Sequence, residues 1–242
     1  MKAVILAGGF GTRISEETKF RPKPMIEIGE KPILWHIMKI FAAHKIDEFI
    51  VCCGYKGEMI QKYFDENNSE SWNIKTVDTG LNTMTGGRIK RIEKLIGNET
   101  FCLSYGDDLK NVDVSELINF HKKQKKIVTM TITKPIPRYG IVKMNGDMVE
   151  SIKEKSKDYE NWINGGYFSL EPEIFEYIKG DKSQLENEVL SNLSIAKQVC
   201  GFKYFGEYYP LDTPYDKKRL DEIWNKNSLN LQKNMMTYFH FF

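Results

Sequence analysis

The sequence has little cysteine, little histidine, no long apolar run and no surplus of charge of either sign. Its four cysteines, Cys52, Cys53, Cys102 and Cys200, lack the paired spacing of a zinc or redox site. The first three fall in apolar stretches, where a thiol packs as a small hydrophobe. A reducing, cytoplasmic setting is therefore expected. No segment approaches the ~18 apolar residues that a membrane span requires. The apolar run Ala3 to Ala7 is too short for a secretory signal core, so no membrane partner is expected. With 35 basic and 33 acidic residues the net charge is +2, which argues against nucleic acid as a partner and requires any positive site to be local.

What is present is ordinary globular material: 242 residues, 41% apolar and 28% charged, enough to bury a sizeable core. One domain over 1–242 is expected, with a first half to about residue 125 and a second half from about 126. Lys2 to Ala7 and Phe49 to Cys53 are apolar, β-rich runs that stop at glycine, as strands buried on both faces do. Asn73 to Asp78 and Phe101 to Tyr105 read as further strands. Helical patterns lie between, at Ile33 to His44, Glu58 to Phe64 and Arg88 to Ile96. This alternation predicts an α/β fold, a mostly parallel, Rossmann-like central sheet with helices on both faces.

From Ile127 the texture changes to β-branched runs, Ile127 to Thr133, Tyr139 to Met144 and Met148 to Lys153, with Asn145-Gly146-Asp147 as a hairpin turn. These predict a β-rich extension of the same sheet. Helices are expected at Pro172 to Ile178, Gln184 to Val199 and Pro214 to Trp224. Thr213-Pro214-Tyr215-Asp216 has the form of a capping box, which puts Asp212 at a loop-to-helix junction.

In such sheets ligands sit beyond the carboxyl ends of the strands, where Gly8 to Arg13 and Gly106-Asp107-Asp108 fall. Glycines at 8, 9 and 11 let backbone N–H groups approach phosphate oxygens, and Arg13 and Lys23 supply cations to clamp a polyphosphate. Ile14 stands where a dinucleotide fingerprint would place its third glycine, and the P-loop spacing is absent. A plain turn is the bland alternative for the glycines, a helix cap for Asp107, a turn acid for Asp212 and a solvated strand end for Lys155. His36, on a helical pattern, reads as a packing residue.

Lys2-Ala3-Val4-Ile5-Leu6-Ala7-Gly8-Gly9, Gly11-Thr12-Arg13 and Pro22-Lys23-Pro24-Met25 resemble the sugar nucleotidyltransferase family over nearly the whole chain. Gly29 to Met38, Cys52 to Gly57, Val77 to Gly80 and Met84 to Arg88 look most like its branch that makes CDP-glucose from CTP and glucose 1-phosphate. The resemblance implies a cytidylyltransferase that uses Mg2+, takes CTP and a small phosphorylated acceptor, and self-associates as a homo-oligomer.

It also implies roles for particular positions. Leu6, Ala7, Gly8, Gly9, Gly11 and Thr12 would meet the nucleotide, with Arg13 and Lys23 on its phosphates. Thr79, Gly80 and Gly86 would lie beside the base. Asp107 and Asp212 would hold the metal, Asp107 also facing the nucleotide. Glu154, Lys155, Asn164 and Gly165 would line the acceptor pocket. Arg88 and Arg91 would reach towards a neighbouring subunit.

Several positions depart from the pattern. The segment between Tyr63 and Trp72 is shorter than in the cytidylyltransferase branch, Ser156 and Val189 replace usual prolines, and Tyr208-Tyr209 stands where tryptophan is usual. These changes surround the acceptor region and keep phosphoglutamine open as an alternative acceptor. A regulatory subunit that binds nucleotide without turnover is the alternative outside the enzyme class.

Overall fold

The computed structural model describes residues 1–135, 140–154 and 161–231. Thirteen strands follow in order. The first seven are β1 (Ala3–Ala7), β2 (Glu27–Ile28), β3 (Lys31–Pro32), β4 (Glu48–Cys53), β5 (Asn73–Asp78), β6 (Phe101–Tyr105) and β7 (Asp108–Lys110). The rest are β8 (Val128–Thr133), β9 (Ile141–Asn145), β10 (Met148–Lys153), β11 (Ile163–Leu170), β12 (Val199–Lys203) and β13 (Tyr208–Pro210). Seven of them form one sheet in the order β12-β8-β11-β6-β1-β4-β5.

β1 lies parallel between β4 and β6, and β4 pairs parallel with β5. The chain then enters β11 antiparallel to both β6 and β8, before β12 restores a parallel pair with β8. The sheet is α/β and mostly parallel, with the second half of the chain extending it.

Alternation along β1 explains the two cores. Ala3, Ile5 and Ala7 face one, with Phe41, Phe49 and Leu117, while Val4 and Leu6 face the other, with Ile89, Phe168 and Leu185. A strand clamped between two apolar layers has no polar face, and its residues read as a continuous hydrophobic run. Helices Ile33–Ala43 and Gly57–Asn67 cover the first face, and Thr85–Arg91 and Glu93–Ile96 the second. His36 is fully buried on the first of these, where one ring nitrogen meets the Ile28 carbonyl at 3.0 Å and burial lowers its pKa to about 4.

Several boundaries differ from expectation for local reasons. The pattern read as one helix at Arg88 to Ile96 starts earlier, at Thr85, and breaks near Ile92. The helix expected from Gln184 to Val199 is a wide turn, Leu185–Val189, followed by Leu190–Ile195; Val199 opens β12. β11 escaped notice because Gly165 and Gly166 interrupt an otherwise β-rich run. The hairpin at Asn145-Gly146-Asp147 forms as expected, joining β9 to β10, though Tyr139 lies outside the described residues. The shortened segment after Tyr63 is closed by one side chain: Asn68 donates to the Trp72 carbonyl at 2.7 Å and accepts from the Trp72 amide at 3.2 Å.

Candidate active site

Register brings the loops of the site together. Leu6 of β1 is level with Tyr105 of β6, so the glycine loop after the first and Gly106-Asp107 after the second emerge side by side, and the Gly106 amide donates to the Leu6 carbonyl at 3.0 Å. A cleft of about 630 Å³ opens there. Leu6, Ala7, Gly8, Gly9, Gly11, Thr12, Arg13, Lys23 and Asp107 all line it, together with Phe10, Pro24 and Tyr105. Gly11 adopts φ +64°, a left-handed conformation that side chains disfavour.

Asp212 arrives from far along the chain. β13 pairs antiparallel with β7, Pro210 level with Asp108, and the Leu211 amide donates to the Asp107 carbonyl at 3.1 Å. The capping box then fixes the next step: the Thr213 amide donates to Asp216 Oδ2 at 2.9 Å and the Asp216 amide returns a bond to Thr213 Oγ1 at 3.2 Å. Asp212 is held between these two anchors.

Lys23 joins both carboxylates. Its Nζ donates to Asp107 Oδ2 at 2.6 Å and to Asp212 Oδ1 at 2.8 Å, while Arg13 Nη1 takes Asp212 Oδ2 at 2.6 Å. Burial alone would lower the Lys23 ammonium, but Asp107 and Asp212 outweigh it and hold the pKa above the ordinary lysine value. Two carboxylates converging on one cation also fit a divalent metal such as magnesium, which takes one or two protein carboxylates and completes its shell with phosphate oxygens and water. Among the described residues no group of three or more histidine, cysteine, aspartate or glutamate side chains is placed to hold a metal, so the pair is what the protein offers.

Asp108 has a different fate from its neighbour. It is buried, ion-paired with the fully buried Lys110, whose ammonium lies 4.2 Å from the Tyr208 ring centroid. Burial lifts the Asp108 carboxyl to about 6 against the pull of Lys110. Its charge is consumed in the core.

The wall of the cleft expected to meet the base is lined by Leu81, Asn82, Thr83, Met84 and Thr85. Thr79, Gly80 and Gly86, expected beside the base, stand behind this lining. Thr79 is fully buried, donating to the Cys53 carbonyl at 2.6 Å and accepting from Arg88 at 2.8 Å. Gly86 packs so tightly that a Cβ there would lie 2.8 Å from the Ser183 carbonyl oxygen. The bracketing glycines were visible in the sequence, and Met84 and Thr85 fell within a family string; Leu81, Asn82 and Thr83 were not singled out.

Arg88, expected to reach towards a neighbouring subunit, is buried within this chain at the back of the cleft. Arg91 is exposed and clasps Asp181 through Nε at 2.9 Å and Nη2 at 2.7 Å.

On the acceptor side, Asn164 Nδ2 donates to the Tyr105 hydroxyl at 3.1 Å, and that hydroxyl donates to Glu186 Oε1 at 2.6 Å. Thr85 Oγ1 donates to the other Glu186 oxygen at 2.8 Å. Glu186 thus links the base-side loop to Asn164, a role that no spacing in the sequence announced. Gly165 backs onto Thr131, where a Cβ would meet the carbonyl oxygen at 2.8 Å. Glu154 is exposed at the end of β10, and Lys155 lies outside the described residues.

Comparison with known proteins agrees with this geometry. The Nucleotidyl transferase family profile matches residues 2–207. The chain is 43% identical over 248 aligned positions to the glucose-1-phosphate cytidylyltransferase of Salmonella typhimurium (strain LT2), covering 93% of this chain and 96% of the relative. It is 31% identical to the D-glycero-alpha-D-manno-heptose 1-phosphate guanylyltransferase of Aneurinibacillus thermoaerophilus, over 90% of this chain and 96% of that one. The solved structure of HddC from Yersinia pseudotuberculosis superposes with a TM-score of 0.73 at 26% identity, covering 92% of this chain and 99% of that one. With a cleft flanked by glycines and cations on this sheet, a family profile over residues 2–207 and relatives of this likeness over this length, the chain belongs to the nucleotidyl transferase family.

Proposed function

We propose that the chain is a one-domain cytidylyltransferase, residues 1–242, that moves CMP from CTP to glucose 1-phosphate, giving CDP-glucose and pyrophosphate. The convergence of Lys23 on Asp107 and Asp212 beside the glycine loop carries this reading. Likeness to the Salmonella enzyme supports the donor and the acceptor. The first half, to about residue 125, serves the nucleotide, and the second serves the acceptor.

In the reaction an acceptor phosphate oxygen attacks the α-phosphorus of CTP. A new P–O bond forms as the bond to the β-phosphate breaks, and pyrophosphate leaves with the electron pair. The attacking oxygen is already ionised near neutral pH, so no general base is required, consistent with two histidines, His36 and His121, being buried for packing. What the site must supply is positioning and neutralisation of crowded negative charge. Backbone N–H groups of Gly8 to Gly11 meet phosphate oxygens, and Arg13 and Lys23 offset the charge that accumulates on pyrophosphate. Asp107 and Asp212 would hold a divalent metal, magnesium by family resemblance, which supplies Lewis-acid neutralisation of the same phosphates. Asn164 and Gly165, with Glu154 and Lys155, are assigned to the acceptor.

Phosphoglutamine as acceptor is not favoured, since the departures that raised it leave a chain aligned along 93% of its length with an enzyme named for glucose 1-phosphate. A regulatory role without turnover is disfavoured by the intact network of Arg13, Lys23, Asp107 and Asp212. Among the described residues no helix is long and apolar enough to cross a membrane, and we place the enzyme in the cytoplasm as a homo-oligomer on family grounds. The test is pyrophosphate release with CTP and magnesium, glucose 1-phosphate and phosphoglutamine being supplied separately at equal concentration. Release with glucose 1-phosphate is expected, and release with phosphoglutamine alone, or with neither, overturns the assignment.

A further inference from the structure

One buried cation has no part in the reaction as set out above. Arg88 is 5% exposed, and its Nη1 donates to the Cys53 carbonyl at 3.0 Å, Thr79 Oγ1 at 2.8 Å and the Gly80 carbonyl at 2.8 Å. Its Nη2 donates to the Gly8 carbonyl at 2.9 Å and the Leu81 carbonyl at 3.3 Å. These oxygens belong to the segment after β1, the last residue of β4 and the segment after β5. A guanidinium presents its donors in a fixed planar fork, so the three segments are set in one geometry by one side chain.

The backbone has been shaped around it. A Cβ at Gly8 would fall 2.1 Å from Arg88 Nη1, and one at Gly54 would fall 2.6 Å from the same atom. A side chain at position 8 would therefore have to displace the cation beneath the loop, independently of any phosphate above it. Among the described residues no carboxylate forms an ion pair with Arg88; its partners are neutral oxygens. Burying a charge on neutral partners is costly. The negative charge that arrives with a nucleotide offsets part of that cost.

We infer that Arg88 is a positioning residue that couples the phosphate-facing loop, Gly8 to Arg13, to the base-side loop, Leu81 to Thr85, so that one guanidinium sets both ends of the nucleotide site. The inference rests on reading the cleft as a nucleotide site. It goes beyond that reading because Arg88, which lines the back of the cleft, acts here through the two loops it joins. Donor affinity and base selectivity should then move together when Arg88 is changed, while the acceptor is unaffected.

Arg88→Lys keeps the charge and gives up the fork, and Thr79→Val removes one partner at nearly constant volume. For Arg88→Lys the KM for CTP should rise about tenfold and the preference for CTP over UTP should fall by a similar factor, with the KM for glucose 1-phosphate within about twofold of the parent. Thr79→Val should shift the same two quantities in the same direction by about threefold. Amide hydrogen exchange without nucleotide should accelerate in both 8–13 and 79–85 of either variant, with 101–105 unchanged. A merely structural arginine would lower the melting temperature and scale kcat without moving base preference or linking the two segments.

If Arg88→Lys does not fold, Thr79→Val carries the test. Folded variants with parental CTP KM, base preference and exchange overturn the coupling. So does accelerated exchange in one loop without the other. A parent inactive with CTP would strike the proposed function instead, and the exchange measurement, made without nucleotide, would still decide whether Arg88 joins the loops.

Discussion

The loops assigned to the donor follow parallel strands, β1 and β6 being buried on both faces, and their side chains are tied to one another by ion pairs and carbonyl contacts, as with Lys23 and Arg88. The acceptor residues sit on β11 and at the end of the β9–β10 hairpin, where Met148 is 74% exposed and Ile152 68% exposed. The first region is a preorganised clamp for charge that every nucleotide carries. The second, at its hairpin, is a solvent-facing shelf. The sequence departures are not confined to it, since Val189 and Tyr209 are buried, one in each of the two cores.

That contrast can be broken most directly at Asp107. Asp107→Ala should lower kcat well beyond tenfold, about a hundredfold or more, with circular dichroism unchanged. Parental turnover would remove Asp107 from the metal site. Lys23→Ala should cost about 2 to 4 kcal/mol of transition-state stabilisation, read as kcat with both substrates saturating, and an unchanged kcat would release Lys23 from the clamp.

A stability measurement sharpens the same side. Burial holds the folded His36 pKa down at about 4, below the ordinary value of 6.5. Its contribution is complete above pH 6.5 and is lost as pH falls from there towards 4, about 3 kcal/mol in total at 1.36 kcal/mol per unit. Urea titrations across this window should show the loss, and His36→Gln should flatten it. A slope untouched by the substitution would assign the acid sensitivity elsewhere.

On the shelf, effects should be smaller and confined to the acceptor. Asn164→Ala removes the bond to Tyr105 and should raise the KM for glucose 1-phosphate by about tenfold while the KM for CTP stays put. A matching rise for CTP would merge the two regions. Ile152→Lys, on an exposed hairpin position, should change unfolding free energy by less than about 0.5 kcal/mol.

Legibility followed the same division. Buried parallel strands announce themselves as apolar runs ended by glycine, so β1, β4 and β6 were readable within a residue, as was the more polar edge strand β5. Leu6 to Arg13 and Asp107 could be placed in the cleft because they end or directly follow strands, whereas Lys23, in a short turn beyond a helix, was placed by its charge and by the Pro22-Lys23-Pro24-Met25 string. β11 and β12 were hidden, the first by two glycines within it and the second by an apolar pattern that suited a helix. Position relative to a strand says where a loop is, but not which way its side chains turn. That is why Thr79 was expected at the base and is found facing Arg88, and why Glu186, reached only through tertiary contacts with Tyr105 and Thr85, left no trace in the sequence.

The meeting of Lys23 with Asp212 spans 189 positions of the chain. The opposite wall of the cleft is likewise closed from far along the chain, the Met84 amide donating to the Asp181 carbonyl at 2.9 Å. The cleft is thus assembled from both ends of the chain, and the short pairing of β13 with β7 is what delivers the second carboxylate to Lys23. A chain cut before Tyr208 would lose Asp212 and with it half of the clamp.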